Sequence, residues 1–162
     1  MNVGFMHSDD FNEPLALNKL QISKLIQITE PFLMLDSADK IFPGKSAVGH
    51  KEIIGEEIYF DCHLKSQEVY PGVLLVETML QTLLLPIYTS RCHHKQLAYV
   101  SDIQTKLLRK AIPGMALVIN AELTSEKRGI RKGICSIANG EVKICHGSFT
   151  LVSPHELPKV LI

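Results

Sequence analysis

The chain carries no net charge: 17 Lys and Arg balance 17 Asp and Glu across 162 residues. A nucleic-acid partner is not expected, because gripping a polyanion draws on a basic excess that is missing here. Cysteine is scarce, and Cys62, Cys92, Cys135 and Cys145 show no paired spacing. With no signal-peptide pattern ahead of them, they read as free thiols of a reducing compartment, the cytoplasm. Cys92-His93-His94 is a cluster of ligand-type side chains, but neighbours on a short loop cannot surround one ion, and no second cluster completes a set of four. No metal is expected. Repeats, low-complexity tracts and long linkers are also missing. A single domain over residues 1–162 follows, large enough to bury roughly 70% of the surface its unfolded chain exposes.

What is present is one strongly apolar stretch. After Pro71-Gly72 come Val73, Leu74, Leu75, Val76, Met79, Leu80, Leu83, Leu84, Leu85 and Ile87, greasy on every side of a helix. Such a helix belongs inside a protein. It falls short of the length and flanking charges of a membrane span, so no membrane partner is expected. Proline at the first helical position marks its start and Pro86 its end. Glu77 is the only charge between Pro71 and Ser90, and Gln81 lies on the same face one turn on, with Thr78 and Thr82 beside them. A carboxylate taken from water must be paired or protonated. The bland alternative is a Glu near the helix surface that shares a hydrogen bond with Gln81. For His63, upstream in the loop, the bland alternative is a hydrogen-bonded structural histidine.

Residues 1–16 have little periodicity and read as a loose or partner-packed arm. Leu17, Leu20, Leu25 and Ile28, with Ile22 and Ile26 beside them, fit a short amphipathic helix ended by Thr29-Glu30-Pro31. Phe32 to Phe42 and Ser46 to Ile54 read as a hairpin about Pro43-Gly44, and Ile58-Tyr59-Phe60 as a third short strand. Beyond the apolar helix and a polar loop at Arg91 to Lys95, strands are expected at 96–101, 103–110, 115–126, 130–138 and 142–152. Val118, Asn120, Glu122 and Thr124 alternate with Leu117, Ile119, Ala121 and Leu123. Arg128-Gly129 and Asn139-Gly140 are hairpin turns, the second a favoured type I′ pair. Residues 154–162 form a tail. The pattern is α+β, with one helix laid against an antiparallel sheet. Bases cluster between 104 and 133, at Lys106, Arg109, Lys110, Lys127, Arg128, Arg131 and Lys132; a run of this kind is usually a solvated strand face.

His63 and Glu77, with Pro71-Gly72-Val73-Leu74 before the Glu and Gln81 after it, resemble the bacterial 3-hydroxyacyl-[acyl-carrier-protein] dehydratases of type II fatty acid synthesis. Pro31-Phe32-Leu33-Met34-Leu35-Asp36 resembles that family's first strand, and the likeness runs from about Leu17 to Val152. It implies a hot-dog fold, a curled antiparallel sheet wrapped around a long central helix. It also implies a site shared across a dimer, assembled as a homodimer or trimer of dimers, that needs no metal or organic cofactor. By the same resemblance His63 takes a Cα proton and Glu77 handles the departing hydroxyl. Gly72 polarises the thioester carbonyl through its N–H, and Val73 and Gln81 line the substrate. Acyl carrier protein is the implied partner, with Lys106, Arg109, Lys110, Arg128, Arg131 and Lys132 as docking residues. The chain departs from the family pattern at Cys62 to Glu68, where flexible and charged residues replace a rigid apolar loop. It departs again at Thr78, Leu80, Thr82, Leu83 and Leu84, whose bulk implies a shorter or redirected acyl pocket.

The chemistry fits these residue types. Removing water from a 3-hydroxyacyl thioester calls for one base and one acid, and a histidine beside a carboxyl in apolar surroundings provides both. A helix N-terminus supplies free N–H groups for charge developing on the carbonyl oxygen. Two other readings are compatible with the sequence. One is a hot-dog thioesterase, in which a helix carboxylate activates water and His63 is idle. The other is a non-catalytic hot-dog subunit that forms a hetero-oligomer with a second hot-dog protein or holds an acyl chain.

Overall fold

A computed structural model describes residues 13–64, 66–90, 97–154 and 157. The elements in chain order are β1 (Leu15–Asn18), α1 (Lys19–Ile26), β2 (Ser37–Phe42), β3 (Ser46–Glu52), α2 (Ile58–Cys62) and α3 (Gly72–Thr89), then β4 (Tyr99–Leu107), β5 (Ala116–Lys127), β6 (Ile130–Asn139) and β7 (Val142–Val152). All seven strands join one antiparallel sheet in the order β1-β2-β3-β5-β6-β7-β4. The sheet is open, with β1 and β4 at its edges.

Alternation along the strands decides which sheet face meets α3. Leu117, Ile119 and Ala121 of β5 and Cys135 and Ile137 of β6 are buried with α3, while Asn120, Glu122 and Ile134 face outward. Glycines let the helix approach closely. A Cβ on Gly49 would stand 2.6 Å from the Thr82 hydroxyl, and one on Gly133 would stand 2.6 Å from a Leu83 methyl. Leu75, Met79, Leu83 and Leu85 complete the core.

Several expectations give way here. Pro86 does not end α3, which continues to Thr89. Its last turns are secured from outside the helix ladder: the Thr89 hydroxyl donates to the Leu85 carbonyl, and the backbone N–H of Gly44 donates to the carbonyl of Pro86 itself. At 18 residues and mean hydropathy 1.4 the helix is long and apolar enough to span a membrane. Its burial against the sheet is what makes it a core helix. Leu15 and Ala16, expected in a loose arm, belong to β1, where Leu15 pairs with Ile41 of β2. In α1 the fully buried residues are Ile22 and Ile26, with Leu25 half-buried beside them, while Leu20 is 63% exposed and falls outside the apolar face. An Asn18–Gln21 capping box starts that helix. Ile58-Tyr59-Phe60 lies in α2 and not in a strand. The two strands expected at 96–101 and 103–110 are one strand, β4, with a bulge between Val100 and Asp102 that breaks its alternation. Arg128 (φ 50°) and Gly129 (φ 79°) form the I′-type turn; at 139–142 only Gly140 has positive φ, as a II′ turn requires. Cys92-His93-His94 lies outside the described residues.

Candidate active site

Helix α3 begins where the chain leaves Pro71, whose carbonyl accepts the N–H of Leu74. Among the described residues the N–H groups of Gly72 and Val73 meet no acceptor, as expected for the first turn of a helix. Gly72 lies close to β4: a Cβ there would stand 2.5 Å from a Leu107 methyl, which would have to shift. Val73 is 73% exposed and Gly72 half-buried, so this turn faces the molecular surface.

Glu77 stands one turn further on, half-buried, with its carboxylate accepting a 2.9 Å hydrogen bond from Gln81 Nε2. Gln81 is wholly buried and fully engaged. Its Nε2 also donates to the Phe32 carbonyl at 2.8 Å, and its Oε1 accepts the Met34 N–H at 2.9 Å. The amide is therefore clamped by the extended segment before β2, and it aims one N–H at Glu77. Thr78 and Thr82 satisfy their hydroxyls on the helix itself, through the carbonyls of Leu74 and Thr78. Sequence reasoning found Gln81 but missed Phe32 and Met34, whose contribution is backbone and leaves no side-chain signal.

His63 is the C-terminal cap of α2 and is half-buried. Its Nδ1 lies 3.3 Å from the Val69 carbonyl. A carbonyl can only accept, so Nδ1 carries a hydrogen, and in the neutral ring it is Nε2 that presents the lone pair. Val69 too was missed, for the same reason. No hydrogen bond or ion pair among the described residues joins His63 to Glu77 of the same chain.

The basic residues divide into groups. Lys106 pairs across the sheet with His146, which pairs with Ser136; Lys132 lies four residues along β6 from that row, roughly 13 Å away, and Arg128 lies beyond it in the turn. Lys110 donates from Nζ to Gln67 Oε1 at 3.2 Å, and Arg109 to the Lys143 carbonyl at 3.0 Å. Lys110 thus borders the loop that follows His63, while Arg128 and Lys132 sit at the opposite end of the strands. Arg131 is a correction: only 2% exposed, it donates to Ser153 Oγ at 2.7 Å and Glu126 Oε1 at 3.0 Å, and so is a core cation unavailable to a docking protein.

An open antiparallel sheet laid over one long apolar helix, with a histidine ahead of the helix and a carboxylate on it, puts this molecule in the hot-dog class. In fold it is similar to an uncharacterized protein from Pyrococcus horikoshii (TM-score 0.64, 13% identity, 84% of this chain and 93% of that one). It is also similar to a sigma28-regulated virulence protein from Campylobacter jejuni (TM-score 0.66, 11% identity, 86% and 92%). In sequence, residues 28–148 match the model of the FabA-like domain. The chain belongs to that family. It is 34% identical over 136 residues to the 3-hydroxyacyl-[acyl-carrier-protein] dehydratase FabZ of Syntrophomonas wolfei, which covers 83% of this chain and 94% of that protein. The FabZ of Clostridium novyi is 30% identical over 140 residues, 85% and 99% of the two chains.

Proposed function

We propose that this protein is a 3-hydroxyacyl-[acyl-carrier-protein] dehydratase, a hydro-lyase whose base is His63 and whose acid is Glu77. The observation that carries the reading is the pair of second contacts: Val69 O leaves His63 Nε2 free to accept a proton, and Gln81 holds the Glu77 carboxyl in one orientation. Nε2 takes the proton from C2 of the acyl thioester. The C2–H electrons become the C2=C3 bond as the C3–O bond breaks, and the Glu77 carboxyl protonates the departing hydroxyl to give water and a trans-2-enoyl thioester. Negative charge that develops on the thioester oxygen is met by the Gly72 N–H at the positive end of α3. The proton left on His63 returns to Glu77 with the products' departure and resets the site.

His63 of one subunit serves Glu77 of the other in a dimer formed along β4. This edge exposes Tyr99, Val100, Ile103 and Leu107, and an unpaired apolar edge is a template for pairing. Dimers assemble further into trimers in this reading. Acyl carrier protein docks on Lys106, Arg109 and Lys110, beside the His63 loop, and the enzyme works in the cytoplasm on fatty acid or specialised polyketide intermediates. The test is to incubate the protein with 3-hydroxyacyl and 2-enoyl carrier-protein thioesters of several lengths and follow them by mass spectrometry. Interconversion without thiol release is expected. Thiol release would make the protein a thioesterase, and no reaction a non-catalytic subunit.

A further inference from the structure

His63 is carried by a short helix that the core holds only in part. None of the five residues of α2 is buried, and Leu64 just beyond it has a positive φ. Tyr59 and Phe60 pack half-buried against the core, and the remaining ties of α2 are polar. Glu57, immediately before its first residue, places Oε1 3.0 Å from Lys51 Nζ, and both side chains are close to fully buried, at 12% and 9% exposure. The same carboxylate accepts the Gly55 N–H at 2.8 Å and the Ile54 N–H at 3.4 Å, closing the turn that joins β3 to α2. Lys51 lies on the core-facing side of β3 opposite Leu117, so the pair bolts the start of α2 to the sheet. Asp36, 4.0 Å from Lys51, ties the extended segment that clamps Gln81 into the same cluster. One residue into α2, the Tyr59 hydroxyl donates to the Pro31 carbonyl, at the head of that same segment, and its ring meets Tyr70 edge-on at 6.1 Å. These groups line a cavity of about 310 Å³ beneath α2.

We propose that the Lys51–Glu57 pair and Tyr59 are positioning residues for His63: they touch no substrate, and they set where the imidazole stands by setting α2. A buried ion pair is a poor source of net stability but a strong source of defined geometry, since each charge is costly anywhere but against its partner. The proposal rests on His63 being the base, and its test is arranged to separate the two claims. The variant is Lys51→Met with Glu57→Gln, which removes both charges together, strands neither, and keeps an acceptor for the Gly55 N–H. Turnover should fall about 10- to 100-fold with KM changed by no more than about 2-fold, the signature of a misplaced group rather than a lost contact. In a His63→Ala background the same two changes should cost nothing further, because residues that act through one group are not additive.

Parent-like turnover in the charge-free variant overturns the proposal. So does a further 10- to 100-fold loss on top of His63→Ala, which would put the pair's effect elsewhere. Parent-like activity of His63→Ala alone would instead remove the acid–base reading, and this inference with it. Should the charge-free variant not fold, Tyr59→Phe takes its place, losing one hydroxyl from a half-exposed ring. It is expected to lower turnover about 3- to 10-fold, again with no effect in the His63→Ala background. Unchanged turnover there overturns the proposal as well.

Discussion

Helices α3 and α2 carry the two halves of the proposed site, and they are held by different means. α3 is seated by packing: Thr82 and Leu83 meet the sheet at Gly49 and Gly133, and Gln81 is locked by backbone before it reaches Glu77. α2 has no fully buried residue: Tyr59 and Phe60 lie half-buried against the core and Tyr70, and an ion pair and a tyrosine hydroxyl complete its attachment. The carboxyl therefore answers to changes of volume and the imidazole to changes of charge. Fold and carboxyl are fixed by the same core, whereas the imidazole is set largely by polar ties outside it.

The largest effect should come from removing either of the two groups proposed to react. His63→Ala and Glu77→Gln are each expected to lose on the order of 10²–10⁴-fold in turnover, and the double variant little more. Glu77→Gln keeps an oxygen for the Gln81 amide, so chemical denaturation should find it within about 0.5 kcal/mol of the parent. Sharper contrast comes from the residues behind. Gln81→Leu leaves the Met34 N–H and Phe32 carbonyl unpaired in the core, and should cost roughly 2–5 kcal/mol by urea titration. Gly133→Ala forces a methyl against Leu83 and the Glu122 carbonyl and should cost roughly 1–3 kcal/mol.

Smaller effects separate the surface charges. Reversing Lys106 and Lys110 should raise KM for carrier-protein substrates about tenfold at low salt and leave a pantetheine-thioester mimic unaffected. Reversing Arg128 and Lys132, at the far end of the strands, should leave KM unchanged for both kinds of substrate. The smallest effect is in acid. Burial alone would push the Glu57 carboxyl up, but the Lys51 ammonium and the backbone N–H groups around Gly55 outweigh it and hold the group below its ordinary value. Its contribution is thus present above the unfolded carboxyl value of about 4.3 and lost as pH falls through the lower folded value. Denaturation midpoints of the parent should fall more steeply below about pH 4.3 than those of the Lys51→Met/Glu57→Gln variant.

The same division governs what was legible in the chain. α3 could be read because burial leaves a compositional mark, and Glu77 because a lone charge stands out against it. β5, β6 and β7 could be read because one buried face imposes alternation. α2 could not: Ile58-Tyr59-Phe60 has the β-branched and aromatic makeup of a strand, and five residues are too few for a helical period to show. The tie from Lys51 to Glu57 is a contact between a strand and a turn, with nothing in the spacing to announce it. Arg131 was misplaced for a related reason, since a cation in a basic run gives no sign that its side chain points inward to Ser153 and Glu126. Pro86 misled because the propensity cost of an internal proline was overridden by tertiary packing.

Sharing of the site between subunits can be tested by mixing. His63→Ala and Glu77→Gln proteins, each nearly inactive alone, are denatured together in equal amounts and refolded, with subunit exchange verified by mass spectrometry. Half of the resulting dimers carry one of each chain, and each of these holds one intact site and one doubly defective site. The mixture should recover about a quarter of the parent's dehydration rate. Verified mixed dimers with no more activity than either variant alone would contradict a site built from His63 of one subunit and Glu77 of the other.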